Sequence, residues 1–246
     1  MIETLAQICA LQPRWSRDNT PAVQERGRLI RQVLKSEIDA MASELRRTLG
    51  DFGAGFDTGA SDGIGLKTEA PWVRFFNKDM SPNPRHGFYA VVHFPADGSA
   101  VFVTVGCRAT TWANGDLTPL TDKDSHVKTE WARRIITDRF GSIEPLGDQI
   151  DLGAKAKLPK AFEKATAVAK RVPVAALDEA YVTGLLVVAA THLAAIYEAQ
   201  RIGSDLSAFD LVQNEIEQLS RPTRSSGGGR ASAYRTRNVW LLNRGP

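Results

Sequence analysis

Between Thr20 and Leu49 the apolar positions Val23, Leu29, Ile30, Val33, Leu34, Ile38, Met41 and Leu45 recur mostly at steps of three and four, which predicts one long amphipathic helix. Thr20 stands as its N-cap, with Pro21 at the first helical position. Five glycines then fall between residues 51 and 71, so regular structure is expected to pause there in a loop. Three strands follow, at Trp72 to Phe76, Phe88 to Phe94 and Ala100 to Gly106. The last two are joined through Asp97-Gly98, a strong hairpin signal. Beyond Thr110 the helical period returns over 125–140, 159–172, 174–200 and 206–219, and "DQIDL" (148–152) reads as a short edge strand. The expected fold class is α+β, a small and mostly antiparallel sheet packed against several helices.

In the second strand, alternation sets Tyr89, Val91 and His93 on one face and Phe88, Ala90, Val92 and Phe94 on the other. The second set is wholly apolar and is expected to face the helices. The first carries polar-tipped rings, the kind of surface on which a base stacks and is read at its edge.

Composition narrows the picture a little. The chain has 246 residues, 43% of them hydrophobic, enough for one substantial core. Its two cysteines, Cys9 and Cys107, lie far apart and outside any metal-ligand spacing, so neither a disulfide framework nor a zinc site is signalled, and a reducing, cytoplasmic setting is expected. The longest apolar run, Val182 to Ala199, contains Thr, His and Glu and reads as a buried helix, with no membrane partner expected. Net charge is +3 overall but +6 in residues 220–246, which leaves −3 over residues 1–219. Three segments are expected: a helical one over 1–50, a binding domain over 51–219, and a flexible basic tail or linker over 220–246.

Catalytic signatures are missing. None of the four histidines sits in a metalloprotease or haem spacing, and neither a nucleophile elbow nor a Walker loop occurs. "GIGLKT" (63–68) lacks the phosphate-loop spacing and precedes a strand where such a loop should precede a helix. The acidic pairs Asp148/Asp151 and Asp178/Glu179 are explained by helix capping and solvated faces. No cofactor, metal or catalytic residue is therefore expected.

Taken singly, a tryptophan after a proline at a strand start is core packing, and so is a tyrosine on a strand. Taken in order, "GIGLKTEAPWVRFF", "RHGFYAVVHF" and "AVFVTVG" resemble the N-terminal DNA-binding domain of the McrB subunit of modification-dependent, type IV restriction systems. The resemblance is carried by a G-x-G, a Pro-Trp step, a glycine closely followed by tyrosine, and two apolar strands, over about residues 60 to 110. It implies a module that binds duplex DNA and flips a C5-methylated or hydroxymethylated cytosine into a pocket. Carried over position by position, Trp72 and Tyr89 fall on the pocket's aromatic residues, and His93 on a pocket position that is aliphatic in the best-known member. Ile64, between Gly63 and Gly65, falls on the wedge that fills the vacated stack, where an aliphatic side chain can also insert. The change to His93 adds a donor and an acceptor, which favours a more polar modification. Lys67, Arg74, Lys78 and Arg85 are the nearest candidates for contacts to the DNA backbone.

Cleavage is expected from a fused domain or another subunit, a nuclease or an NTPase, and the linker-like tail agrees with that. Two other classes remain open from the sequence. One is a helical interaction or scaffold subunit that docks through residues 174–219; the other is a nuclease subunit whose site is not recognisable as a motif.

Overall fold

The structure, a computed structural model, describes residues 1–63, 67–113 and 116–202. Expectations for Ile64 and Gly65, for a helix over 206–219 and for the basic tail lie outside the described residues.

The helical N-terminal region forms largely as its periodicity predicts. α1 (Ile2–Leu11) precedes a helical run made of α2 (Pro21–Arg28), a π-helical turn over Leu29–Leu34 and α3 (Lys35–Ala40), and Met41 breaks the run before α4 (Ala42–Leu49). Thr20 caps α2 as expected, its hydroxyl accepting from the Val23 amide at 3.3 Å. Leu5, Ile8, Ile30, Leu34, Ile38 and Leu45 are all fully buried in the same core as the sheet, so packing continues without a break through residue 50.

Five antiparallel strands form the sheet in the order β1-β2-β3-β4-β7: β1 Phe56–Ser61, β2 Trp72–Asn77, β3 Phe88–His93, β4 Ala100–Cys107 and β7 Thr166–Pro173. A separate hairpin pairs β5 (Thr110–Ala113) with β6 (Asp116–Pro119). The β3–β4 turn uses Gly98 at φ +67°, where a side chain would strike the backbone carbonyl of Cys9. α5 (Asp122–Phe140), α6 (Lys157–Lys164) and α7 (Glu179–Arg201) complete the α+β architecture.

Three local expectations are corrected. Residues 56–61 are not loop: Asp57, Thr58, Gly59 and Ala60 have weak strand propensity, but six register pairs with β2 impose the extended form. Residues 159–172 are not one helix. α6 ends at Lys164 and the chain continues as β7, because Thr166, Val168 and Val172 suit a pleated surface while Ala167 and Ala169 suit either state. "DQIDL" is not the edge strand: an isolated bridge joins the preceding Gly147 to Ala169, the Asp148 amide donates to the Ala169 carbonyl at 2.8 Å, and β7 takes the edge.

α7 is long and apolar enough to cross a membrane by length and composition, but half of that stretch is buried within the protein. Leu185, Leu186, Ala189, Leu193 and Ile196 join the core against the sheet. Its Tyr197 hydroxyl donates to the Phe88 carbonyl at 2.8 Å and accepts from the Asn77 amide at 3.2 Å, which fastens the helix to β3 and β2.

Candidate nucleic-acid interface

The alternation predicted for β3 is present. Phe88, Ala90, Val92 and Phe94 enter the large core beneath the helices, whereas Tyr89 and Val91 cluster with Phe76 and Trp72 on the opposite face. Trp72 and His93 are direct partners in the β2–β3 register, so their side chains stand together at one end of that face. Ser61, the last residue of β1, pairs with Trp72 from the other side, and the glycine loop leaves from there.

This second face is covered rather than open. Tyr89, Val91 and His93 are all buried, and only Trp72 of the pocket candidates is partly exposed. α6 supplies the cover, with the Phe162 ring stacked on the His93 ring at 6.0 Å between centroids. A cavity of about 20 Å³ remains between Tyr89, His93, Thr104, Gly106 and Phe162, room for about one water molecule. His93 Nδ1 is buried without a hydrogen-bond partner, and burial pushes the imidazole pKa down to about 3, so the ring is neutral with one donor and one acceptor nitrogen. The Tyr89 hydroxyl lies 2.9 Å from the Pro84 carbonyl and 3.0 Å from that of Cys107, so it ties the segment after β2 to the end of β4. Burial raises its pKa and keeps it protonated.

The basic candidates fall into different environments. Arg74 is buried, its guanidinium 3.7 Å from the Phe76 ring centroid and 5.1 Å from that of Tyr89, with Nη1 donating to Ser81 at 3.0 Å. Desolvation lowers its pKa to about 10, still charged, and its place is as a wall of the aromatic cluster. Lys67 is half-buried and ion-pairs with Asp62 at 2.6 Å. Lys78 is exposed just past β2, and Arg85 is half-buried with its guanidinium 5.9 Å over the Trp112 ring of the β5–β6 hairpin. β2 has six residues, about 20 Å, so Lys67 lies near one end of the sheet and Lys78 with Arg85 near the other.

A family model described as MrcB-like, N-terminal domain matches residues 11–182, most of the chain. The chain belongs to that family. As a member of the McrB-like N-terminal domains it is a DNA-binding specificity module of type IV restriction, not itself the catalytic part, and it associates with a restriction-system partner. No curated protein and no solved structure matches it.

Sequence reasoning missed two residues that shape this candidate site in the McrB-like domain. Phe162 lies in a stretch read as continuous helix, and only the break at Ala165 turns its ring onto His93. Asp62 looked like one acid among several in a glycine-rich loop, but it is buried; desolvation opposes its charge, and hydrogen bonds from Arg31 and Lys67 outweigh that and hold its carboxyl below the usual range. Among the described residues no group of three or more His, Cys, Asp or Glu is placed to hold a metal ion.

Proposed function

We propose that this domain recognises a C5-modified cytosine in duplex DNA by flipping it against the Trp72–His93 pair, as the specificity part of a modification-dependent restriction system. The observation that carries the reading is that direct β2–β3 pairing: a partly exposed indole beside a buried imidazole whose Nδ1 has no partner, next to the glycine loop. An indole wall favours any pyrimidine by stacking, worth about 1–3 kcal/mol per base. The imidazole adds the selective element. A methyl group gains nothing from the unpartnered nitrogen, whereas the hydroxyl of a hydroxymethyl group can donate to it, so the hydroxymethylated base is the preferred ligand.

The cavity is smaller than a pyrimidine, so the flipped base displaces Phe162 from beside His93, and α6 moves outward as it enters. Ile64 serves as the wedge and Gly63 and Gly65 permit its close approach to the duplex. Lys78 and Arg85 hold the phosphates. Cleavage comes from a nuclease domain or subunit joined to or recruited by this module, and an NTPase is a further partner.

Flipping is tested with 2-aminopurine placed beside the modified cytosine in a duplex. Adding the protein is expected to raise the probe's fluorescence, and more for a modified than for a plain duplex. Unchanged fluorescence at saturating protein would exclude base extrusion.

A further inference from the structure

Both ends of the glycine loop are held by a network that DNA contacts do not explain. The buried Asp62 carboxylate is ion-paired by Arg31 from the π-helical turn and by Lys67 at 2.6 Å, and the Asp62 carbonyl accepts from the Thr68 amide at 2.8 Å. The carboxylate lies against the backbone of α2 at Gly27, where an added Cβ would collide with Asp62 Oδ2 and the Arg31 guanidinium. Three successive carbonyls on the returning arm are taken up by side chains from the N-terminal region. Trp15 Nε1 donates to Lys67 O at 3.3 Å, Arg26 Nη2 to Thr68 O at 2.8 Å and Gln12 Nε2 to Glu69 O at 3.1 Å. Arg26 and Gln12 are buried and joined to each other at 2.7 Å, and Gln12 also reaches the carbonyls of Phe94 and Pro95 beyond β3.

We propose that Asp62, gripped by Arg31 and Lys67 over Gly27, is a positioning clamp that sets the direction of the glycine loop for DNA binding, and that Lys67 serves this clamp and not a phosphate. The inference rests on the DNA-binding reading of the domain. Its physical content is a reversal of sign. An acidic residue beside a DNA-binding loop ordinarily repels phosphate, so neutralising it should strengthen binding and free Lys67 to add a contact, steepening the salt dependence by about one unit. With a clamp, the same substitution releases the loop and weakens binding.

The test measures affinity for a duplex bearing hydroxymethylcytosine across a salt series for the wild type, Asp62→Asn, Lys67→Met and Gly27→Ala, with a thermal melt to confirm folding of each. The expected result is a loss of about tenfold for each variant with the salt slope unchanged. Gly27→Ala is the arm that alters no charge and favours the helix locally, so it reports on the clamp even where Asp62→Asn is poorly folded. Tighter binding by Asp62→Asn, or a slope lower by about one in Lys67→Met, would overturn the proposal. Hydrogen exchange at the Thr68 amide reads the clamp without DNA. Slow exchange in the wild type and exchange at least about tenfold faster in Asp62→Asn support it, and equal exchange overturns it. A wild type that binds no duplex would instead overturn the functional reading, with the exchange result still deciding the clamp.

Discussion

His93 combines two costs that a structural residue would ordinarily avoid: it is buried, and one of its ring nitrogens has no hydrogen-bond partner. Unfolded, it takes up a proton near pH 6.5; folded, only near pH 3. Between those values the folded chain binds fewer protons, so stability falls as pH falls, by up to about 1.4 kcal/mol per pH unit. His192, lowered to about 4 by burial, acts in the same direction. Replacing His93 by Leu should therefore remove part of the acid sensitivity, with the variant gaining about 1.6 kcal/mol on the wild type between pH 6.5 and 5 in urea denaturation. The same variant should bind methylated and hydroxymethylated duplexes alike. Trp72→Ala should lower affinity for the modified duplex about tenfold or more at a cost in stability of about 1–2 kcal/mol, since the indole is partly exposed but packs on the Phe76, Tyr89 and Val91 cluster. At this scale the shared face of Tyr89, Val91 and His93 was legible, because strand alternation fixes which side chains of one strand lie together; the register that sets Trp72 opposite His93 was not. The burial of Arg74 was not. A lone arginine in a strand looks like a surface cation until Phe76 two residues along, Tyr89 on the neighbouring strand and Ser81 enclose it.

The decisive element is α6, eight residues long and carrying Phe162 onto the face where the base is proposed to stack. Its amides should exchange faster with the modified duplex bound than without, while those of β3 and β4 stay slow. Protection of α6 on binding would place the base elsewhere. The sequence did not reveal this cover, since the alanine-rich stretch over 161–169 fits helix and strand equally and only pairing with β4 decides where one ends. β1 was hidden for the related reason that its residues are poor strand formers and are extended by their partner. Elements with strong local signals, α5, β3 and the Asp97-Gly98 turn, formed as their patterns predicted.

For the whole molecule, the helices before residue 50 are the mount for the glycine loop as well as part of the core, consistent with a family match that starts at residue 11. Basic groups at opposite ends of the sheet divide into those held internally, Arg74 and Lys67, and those near the surface, Lys78 and Arg85. Neutralising Lys78 and Arg85 together should weaken binding to every duplex alike and lower the salt slope by about two. The body of the chain is mildly acidic, so DNA affinity is expected to rest on few phosphate contacts and selectivity on the pocket. The most direct test is fluorescence polarisation at one defined salt concentration with three matched duplexes bearing plain, methylated and hydroxymethylated cytosine. Hydroxymethylated DNA should bind tightest, plain DNA weakest, and Trp72→Ala should flatten the difference; equal affinity of the wild-type protein for all three would contradict recognition of the modified base.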